Sequence, residues 1–430
     1  MDAASYTDRL EKLFVRHPSV QQAGFGDAYK PGLAHMREFA QALGDPHLKW
    51  RSIHVAGTNG KGSVANMLAS ALSATGLKVG LYTSPHIIDF RERMRIIDDG
   101  KTRMVSREWV WDFLERWEDE ADRLDLSFFE VTTGMAMRWF ADEEVDLVVM
   151  EVGLGGRLDS TNIITPELTV VTSIGLDHCA LLGDTRSLIA REKAGIFKGG
   201  VSAVVGSWDS ETAPVFEECA EYAGCPLSFA DRQKTSPREG DILARMDLQG
   251  AYQAENLHTA LVCLEQLGIP LTDDVEEAVA HTAARMDFHG RWEMLHRCPD
   301  VICDIGHNPP ALEHNFAQLR DLLARGRYAR ITIVYGVMAD KALDDIMPLM
   351  PLEATWIFVA PSTPRALDAD TLYARCSAGL LERGIPAEQL LLGGSVSDGL
   401  RLALDEATPD TLVYVGGSTF VVTEVISQQL

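Results

Sequence analysis

From about residue 52 onward the chain alternates two kinds of apolar segment. Short runs rich in β-branched residues read as strands buried on both faces: SIHVAG from Ser52, KVGLYTS from Lys78, VDLVVMEVG from Val145 and LTVVTSIG from Leu168. Between them, SVANMLASALSATG from Ser63 and FEVTTGMAMRWFADE from Phe129 carry apolar residues at helical spacing. A second set follows, with strands VICDIG, ITIVYGV, TWIFVA and TLVYVGGS from Val301, Ile331, Thr355 and Thr411. Its helical segments are ALEHNFAQLRDLLA, DADTLYARCSAGLLERG and SVSDGLRLALDEA. Strands alternating with helices predict parallel sheets covered on both faces, here two α/β domains in series. The boundary is placed where DFHGRWEMLHRCPD loses helical patterning, near Phe288 to Pro299, giving domains 1–290 and 291–430. Residues 231–250 are polar and weakly patterned, and are expected to form a loop or small hairpin inside the first domain.

The stretch HVAGTNGKGSVAN, His54 to Asn66, joins a strand to a helix. Backbone amides and a helix N-terminus in that setting surround a phosphate, and Gly57, Gly60 and Gly62 let the backbone approach its oxygens closely. Lys61 reaches outer phosphates and Ser63 meets a magnesium ion. The spacing departs from G-x-x-x-x-G-K-[ST], because Gly62 separates Lys61 from Ser63.

Composition and charge narrow the classes. A chain of 430 residues, 46% of them hydrophobic, is long enough for two domains with real cores. It holds no membrane-length apolar run, and its start, MDAASYTDRLEKLF, is charged where a secretory leader is apolar, so a cytoplasmic protein is expected. Seven scattered cysteines without a C-x-x-C pair signal neither a disulfide framework nor a zinc site. A formal net charge of −24 argues against binding nucleic acid or an anionic membrane, so any anionic ligand must be held by local cations.

Other polar residues sit just past predicted strands, where open α/β sheets place ligands. Glu151 follows DLVVM, Asp177 and His178 follow LTVVTSIG, and Ser84 follows KVGLY. A carboxylate such as Glu151 can hold magnesium directly or through water. A lone histidine is more often structural, and Lys193 in REKAGIF reads by itself as a solvated helix lysine beside Glu192.

Taken together, the loop AGTNGKGS and the segments YTSPHIIDFRERMRI, FFEVTTG, EVGLGGRLDSTN, TSIGLDH, REKAGIFK and DIGHNP resemble the folylpolyglutamate synthase and dihydrofolate synthase branch of the Mur ligase superfamily. They occur in that family's order over nearly the whole chain, with YKPGL near Tyr29 ahead of the loop, and the Gly62 insertion matches this branch. The resemblance implies an N-terminal P-loop ATPase-like domain with a parallel sheet and a C-terminal Rossmann-like domain. It implies ATP bound by Gly57, Thr58, Asn59, Gly60, Lys61, Gly62 and Ser63, with Asn256, Arg291 and Asp304 around the nucleotide. It implies two magnesium ions held by Ser63, Ser84, Glu151 and His178, with Lys193 contributing once carbamylated. Lys61, Lys193 and His307 are the implied catalytic residues, and Arg157 and Arg291 add positive charge. Ser127, Phe128, Phe129 and Glu130, with Leu158, Asp159 and Ser160, resemble the segments that meet pteroate or folate. An aromatic ring from Phe128 or Phe129 suits a flat heterocycle. Gly306 stands where the family usually has alanine, which is expected to loosen that turn.

The activity so implied is ATP-dependent joining of L-glutamate to dihydropteroate, to a folate, or to both, in a monomer acting on small molecules. Two rivals differ in what they lack. Another amide ligase of the superfamily would share the loop and Glu151 without the TSPH and FFE segments, both present here. A nucleotide-binding switch would bind ATP without glutamate-dependent turnover. The acidity itself also fits a protein adapted to high salt, in which case thermal stability falls steeply as salt is withdrawn; a melting temperature indifferent to salt removes that explanation.

Overall fold

A computed structural model describes residues 3–17, 30, 32–341 and 343–428, and the YKPGL segment lies in part outside them at Tyr29 and Pro31. The chain forms two compact units. One comprises the chain up to Asp247 together with Gln253–Phe288; the other comprises Leu248–Tyr252 and His289 onward. Residues 231–250 therefore depart from the expected loop or small hairpin within the first domain. They contain a helix, Glu239–Arg245, and their last three residues belong with the second unit. Ile242 is the only buried residue of that helix, too little for an apolar period to register. Among the contacts of residues 248–252 within the second unit, Ala251 N–H donates to Gln318 Oε1 at 2.6 Å, and Gln318 Nε2 donates to the Gln249 carbonyl at 3.1 Å.

In the first unit, β1 (Arg51–Ala56), β2 (Val79–Tyr82), β3 (Met94–Asp98), β4 (Lys101–Met104), β5 (Leu147–Glu151), β6 (Leu168–Val171), β7 (Ser202–Val205) and β8 (Leu227–Phe229) form one sheet. Its order is β4-β3-β2-β5-β1-β6-β7-β8. All neighbours run parallel except β3, which is antiparallel to both β2 and β4. That edge hairpin was not read from the pattern, although its turn carries a local signal. Asp99 and Gly100 both have positive φ, 48° and 70°, between the paired Asp98 and Lys101, the geometry that Asp-Gly favours in two-residue hairpins.

Strand β1 lies between β5 and β6, and the chain order reverses beside it, so the crevice past its carboxyl end is a topological switch point. The helix that follows, Lys61–Ser73, is buried from Gly62 to its end, which explains why its apolar residues are not confined to one stripe. On the β2 side the helix Phe128–Asp142 packs Trp139, Phe140 and Met135 into a core shared with Tyr82, Met150, Met36 and Phe39. Gly134 in that helix admits the close approach of Phe39, whose ring a Cβ would meet at 2.4 Å.

The second unit holds β9 (Glu293–His296), β10 (Asp300–Asp304), β11 (Arg330–Tyr335), β12 (Thr355–Ala360), β13 (Leu390–Ser395) and β14 (Thr411–Gly416). Their order is β13-β12-β11-β14-β10-β9, parallel apart from the edge strand β9. Phe316, Tyr335, Trp356 and Phe358 form its aromatic core, with Trp356 stacked on Phe358 and edge-on to the other two. Among the described residues no helix is long and apolar enough to cross a membrane.

The start of the Phe128–Asp142 helix is held by a reciprocal cap. Ser127 Oγ accepts the Glu130 N–H, while the Ser127 N–H and hydroxyl both donate to Glu130 Oε2 at 2.8 Å. Ser127→Ala removes the acceptor and one of the two donors to a buried carboxylate. A loss of about 1–2 kcal/mol is expected, read as an earlier urea transition by far-UV circular dichroism; an unchanged transition would mean the cap contributes nothing.

Candidate functional site

The glycine loop leaves β1 at the switch point. Gly57 has φ of +151° and lies against Thr172, whose Oγ1 would be 1.9 Å from a Cβ there. Gly60 takes φ of +82° as the N-cap of the Lys61–Ser73 helix. Both positions exclude a side chain, by conformation and by space. The first-turn amides of Lys61, Gly62 and Ser63 have no intrahelical acceptor and carry the positive end of the helix dipole. The loop is pinned from β6: Thr58 N–H donates to the Ser173 carbonyl at 2.7 Å, and Thr172 and Ser173 hydroxyls donate to the Asn59 carbonyl at 2.5 and 3.0 Å.

Two lysines converge on this loop. Lys61 Nζ donates to the carbonyls of Gly57 at 2.9 Å and Thr58 at 3.0 Å. Lys193, near the end of the helix Arg186–Ala194, donates to the same Gly57 carbonyl at 2.9 Å. Lys193 is only 4% exposed, so its reading as a solvated helix lysine is corrected. Burial first, and the neighbouring positive charge of Lys61 second, bring its pKa down to about 7, opposed by Asp177 and Asp159. Near neutral pH a large fraction of this amine is therefore uncharged and nucleophilic.

The residues expected to hold metal form separate contacts. Glu151 ends β5, is 3% exposed, and its Oε2 accepts the Ser84 N–H at 3.1 Å. Ser63 Oγ accepts from Gln253 Nε2 at 3.1 Å. His178 sits at φ of +53°, with Nε2 3.8 Å from Asp177 Oδ2. Among the described residues no three of His, Cys, Asp and Glu cluster as a ready-made metal site. Oxygen donors from Ser63, Ser84 and Glu151 suit a hard divalent cation. A carbamylated Lys193 would add another, and its depressed pKa fits that modification, which requires a free amine.

In the segments expected to meet folate, most polar atoms are used by the fold. Ser127 and Glu130 form the helix cap described above. Asp159 accepts from the Thr161 N–H and hydroxyl and from the Leu154 N–H at 2.8 Å, and burial raises its pKa. Ser160 is buried and Leu158 half-buried. Phe128 is a core residue, stacked on Phe14 at 4.8 Å with the Arg93 guanidinium 5.2 Å from its ring centroid. Phe129 is the partly exposed member of the pair; it lies 5.9 Å from the Tyr82 ring and directly over Gly153, where a Cβ would be 2.4 Å from it. Of the two rings, Phe129 is the less buried. Arg157 is paired with Glu192 at 2.8 Å, which tempers its contribution to a positive site.

In the second unit Asp304 ends β10 and accepts four hydrogen bonds. Oδ2 receives the Tyr252 hydroxyl at 2.6 Å and the Trp292 N–H at 2.9 Å; Oδ1 receives the Gly306 N–H at 2.7 Å and Asn315 Nδ2 at 2.8 Å. The expected loosening at Gly306 is corrected: its N–H closes the turn, and a Cβ there would stand 2.9 Å from both Asp304 Oδ1 and Asn315 Nδ2. Arg291 Nη1 donates to the Gly290 carbonyl at 3.2 Å, and His307 Nδ1 lies 3.0 Å from the Ile305 carbonyl. Sequence reasoning missed Tyr252, Gln253 and Asn315. Gln253 stands three residues before Asn256, the spacing that shares a helix face, and that was its available signal.

Residues 290–419 match the family described as Mur ligase, glutamate ligase domain. The chain is 33% identical to the folylpolyglutamate synthase of Lacticaseibacillus casei, over 89% of this chain and 91% of that protein. It is also 33% identical to a probable bifunctional folylpolyglutamate synthase/dihydropteroate synthase of Haloferax volcanii, covering 92% of this chain but 48% of that one, so the chain spans about half the length of this relative. Among solved structures, E. coli FolC in complex with DHPP and ADP superposes with a TM-score of 0.80 at 28% identity, covering 98% of this chain and 97% of that one. A bifunctional folylpolyglutamate synthase/dihydrofolate synthase from Yersinia pestis, complexed with AMPPNP and Mn ion, gives 0.79 at 27% identity with the same coverage. With a third of its residues shared across nine-tenths of both chains, and with the loop and strand-end residues in place, the protein belongs to the folylpolyglutamate synthase/dihydrofolate synthase family of the Mur ligase superfamily.

Proposed function

We propose that this protein is an ATP-dependent ligase that joins L-glutamate to dihydropteroate, to the γ-carboxylate of a folate, or to both, through an acyl phosphate. The observation that carries this reading is the convergence of Lys61 and the buried Lys193 on one carbonyl of a glycine loop at the switch point. The nucleotides and DHPP bound by the structural relatives support it. A carboxylate is a poor acyl donor because its oxygen leaves badly at neutral pH; phosphorylation lets that oxygen depart as phosphate. Loop amides and Lys61 would cradle the transferring phosphoryl group, so that positioning and electrostatics supply most of the acceleration. To do so Lys61 exchanges its present contacts with the Gly57 and Thr58 carbonyls for phosphate oxygens. Magnesium, held by Ser63, Ser84, Glu151, His178 and carbamylated Lys193, would supply further neutralisation of phosphate charge. Asn256 and Arg291 would meet the nucleotide, with Asp304 ordering the turn and Tyr252 near it. Phe129 would lie against the flat ring of the acceptor and His307 near the phosphates. The glutamate amine then attacks the acyl carbon, and the tetrahedral adduct collapses to amide and phosphate.

The deciding experiment measures ADP release with ATP and magnesium, with and without L-glutamate, using dihydropteroate or tetrahydrofolate as acceptor. Glutamate-dependent release is expected with at least one acceptor, and both would make the protein bifunctional. Nucleotide binding without such release from either acceptor would end the folate reading. For Lys193, a carbamate signal is expected by ¹³C NMR with labelled bicarbonate, growing as pH rises through about 7, where the amine loses its proton. The signal should be absent in Lys193→Ala; growth only near the ordinary lysine range would contradict the buried, depressed amine.

A further inference from the structure

Residues 84–89 leave β2 and enter the short helical turn Phe90–Arg93, and one side chain of that turn holds them. Glu92 Oε2 accepts the Ile87 N–H, and Oε1 accepts the Ile88 and Asp89 N–H groups, all three at 2.7 Å. An Asp-x-x-Glu capping box needs only the last of these bonds. The other two tie the carboxylate to the loop ahead of the turn. Bonds of this kind, with an ionised acceptor, are roughly twice as strong as neutral ones.

The other end of the loop is fixed by the same stretch of chain. Thr83 N–H donates to the Arg93 carbonyl at 3.1 Å, and its hydroxyl donates to the Glu92 carbonyl at 3.3 Å. Arg93 Nε donates to His86 Nδ1 at 2.9 Å. Between these anchors lies Ser84, whose N–H reaches Glu151 Oε2 at 3.1 Å, so the serine stands beside the strand-end carboxylate. A serine oxygen is one rotatable bond from its backbone, and its place is therefore the place of its loop.

We propose that Glu92 is a positioning residue: by holding the amides of residues 87–89 it sets the loop so that the Ser84 hydroxyl and Glu151 face one divalent cation. This rests on the reading that magnesium is held at Ser84 and Glu151. Glu92 is occupied by backbone amides and acts through Ser84, not as a ligand.

The test is titration of the full chain with manganese ion in the presence of AMPPNP, read by electron paramagnetic resonance of the free ion, with thermal melts to confirm folding. Glu92→Gln keeps the size of the side chain but sets an NH2 group against at least one of the three amides, and should weaken manganese binding about tenfold. Glu92→Asp keeps the negative charge beside the buried Arg93 and Arg95 but withdraws the oxygens by a methylene, and should weaken binding as well. In a Ser84→Ala background both losses should vanish, because no hydroxyl remains to be placed. A loss caused by charge or by general stability would persist in that background. Wild-type affinity in either folded variant, or an equal loss with and without the Ser84 hydroxyl, overturns the proposal; Glu92→Asp decides it if Glu92→Gln does not fold. Ser84→Ala alone tests the premise. If it leaves manganese affinity unchanged, the cation does not lie at Ser84 and the role of Glu92 falls with it; weakened binding in Ser84→Ala beside wild-type binding in the Glu92 variants removes the positioning role alone.

Discussion

The carbonyl oxygen of Gly57 accepts from two lysines, and this shared contact constrains most of the first unit. Burial, and after it the positive charge of Lys61 on the same oxygen, pushes the Lys193 amine well below the ordinary lysine range. The arrangement requires a glycine at the end of β1, because Thr172 occupies the space a side chain would take. It also requires β6 beside β1, so that Thr172 and Ser173 can pin the loop, and a helix that delivers Lys193 from behind. Sheet order, loop conformation and lysine chemistry are consequences of one another here.

The second unit uses a carboxylate in the complementary way. Asp304 has its acceptor capacity filled by a hydroxyl, two backbone amides and a side-chain amide, which leaves it an organiser of the strand end more than an open ligand. Tyr252, in the short segment 248–252, is one of those donors, so a piece of chain remote from β10 in sequence is part of its turn. Burial and the adjacent Asp304 charge push the tyrosine hydroxyl well above its usual pKa, keeping it a donor at any ordinary pH.

Much of this was legible in the linear pattern. Eight of the strands and the main helices follow from the alternation of β-branched runs with helical spacing, and the glycine loop from its strand-to-helix setting. Elements at the margins were not. The β3–β4 hairpin is marked only by its Asp-Gly turn, since its two strands are short and partly polar. The Glu239–Arg245 helix has a single buried position and so no period to detect. Within the first unit, the place of the glycine loop past β1 and of Glu151 at the end of β5 is readable from the pattern. The cap formed by Ser127 and Glu130 is also written in the S-x-x-E spacing.

What the sequence by itself determined was the succession of strands and helices, the strand-to-helix glycine loop and the family order of the motifs. These are properties of neighbours along the chain, and periodicity and turn chemistry record them directly. Tertiary structure alone decided that Lys193 is buried against Gly57 and not solvated, that Phe128 belongs to the core while Phe129 is only partly buried, and that Gln253 joins Asn256 to Ser63. Each of those outcomes is set by partners tens to hundreds of residues away, whose burial and hydrogen bonding leave no regular trace in local spacing.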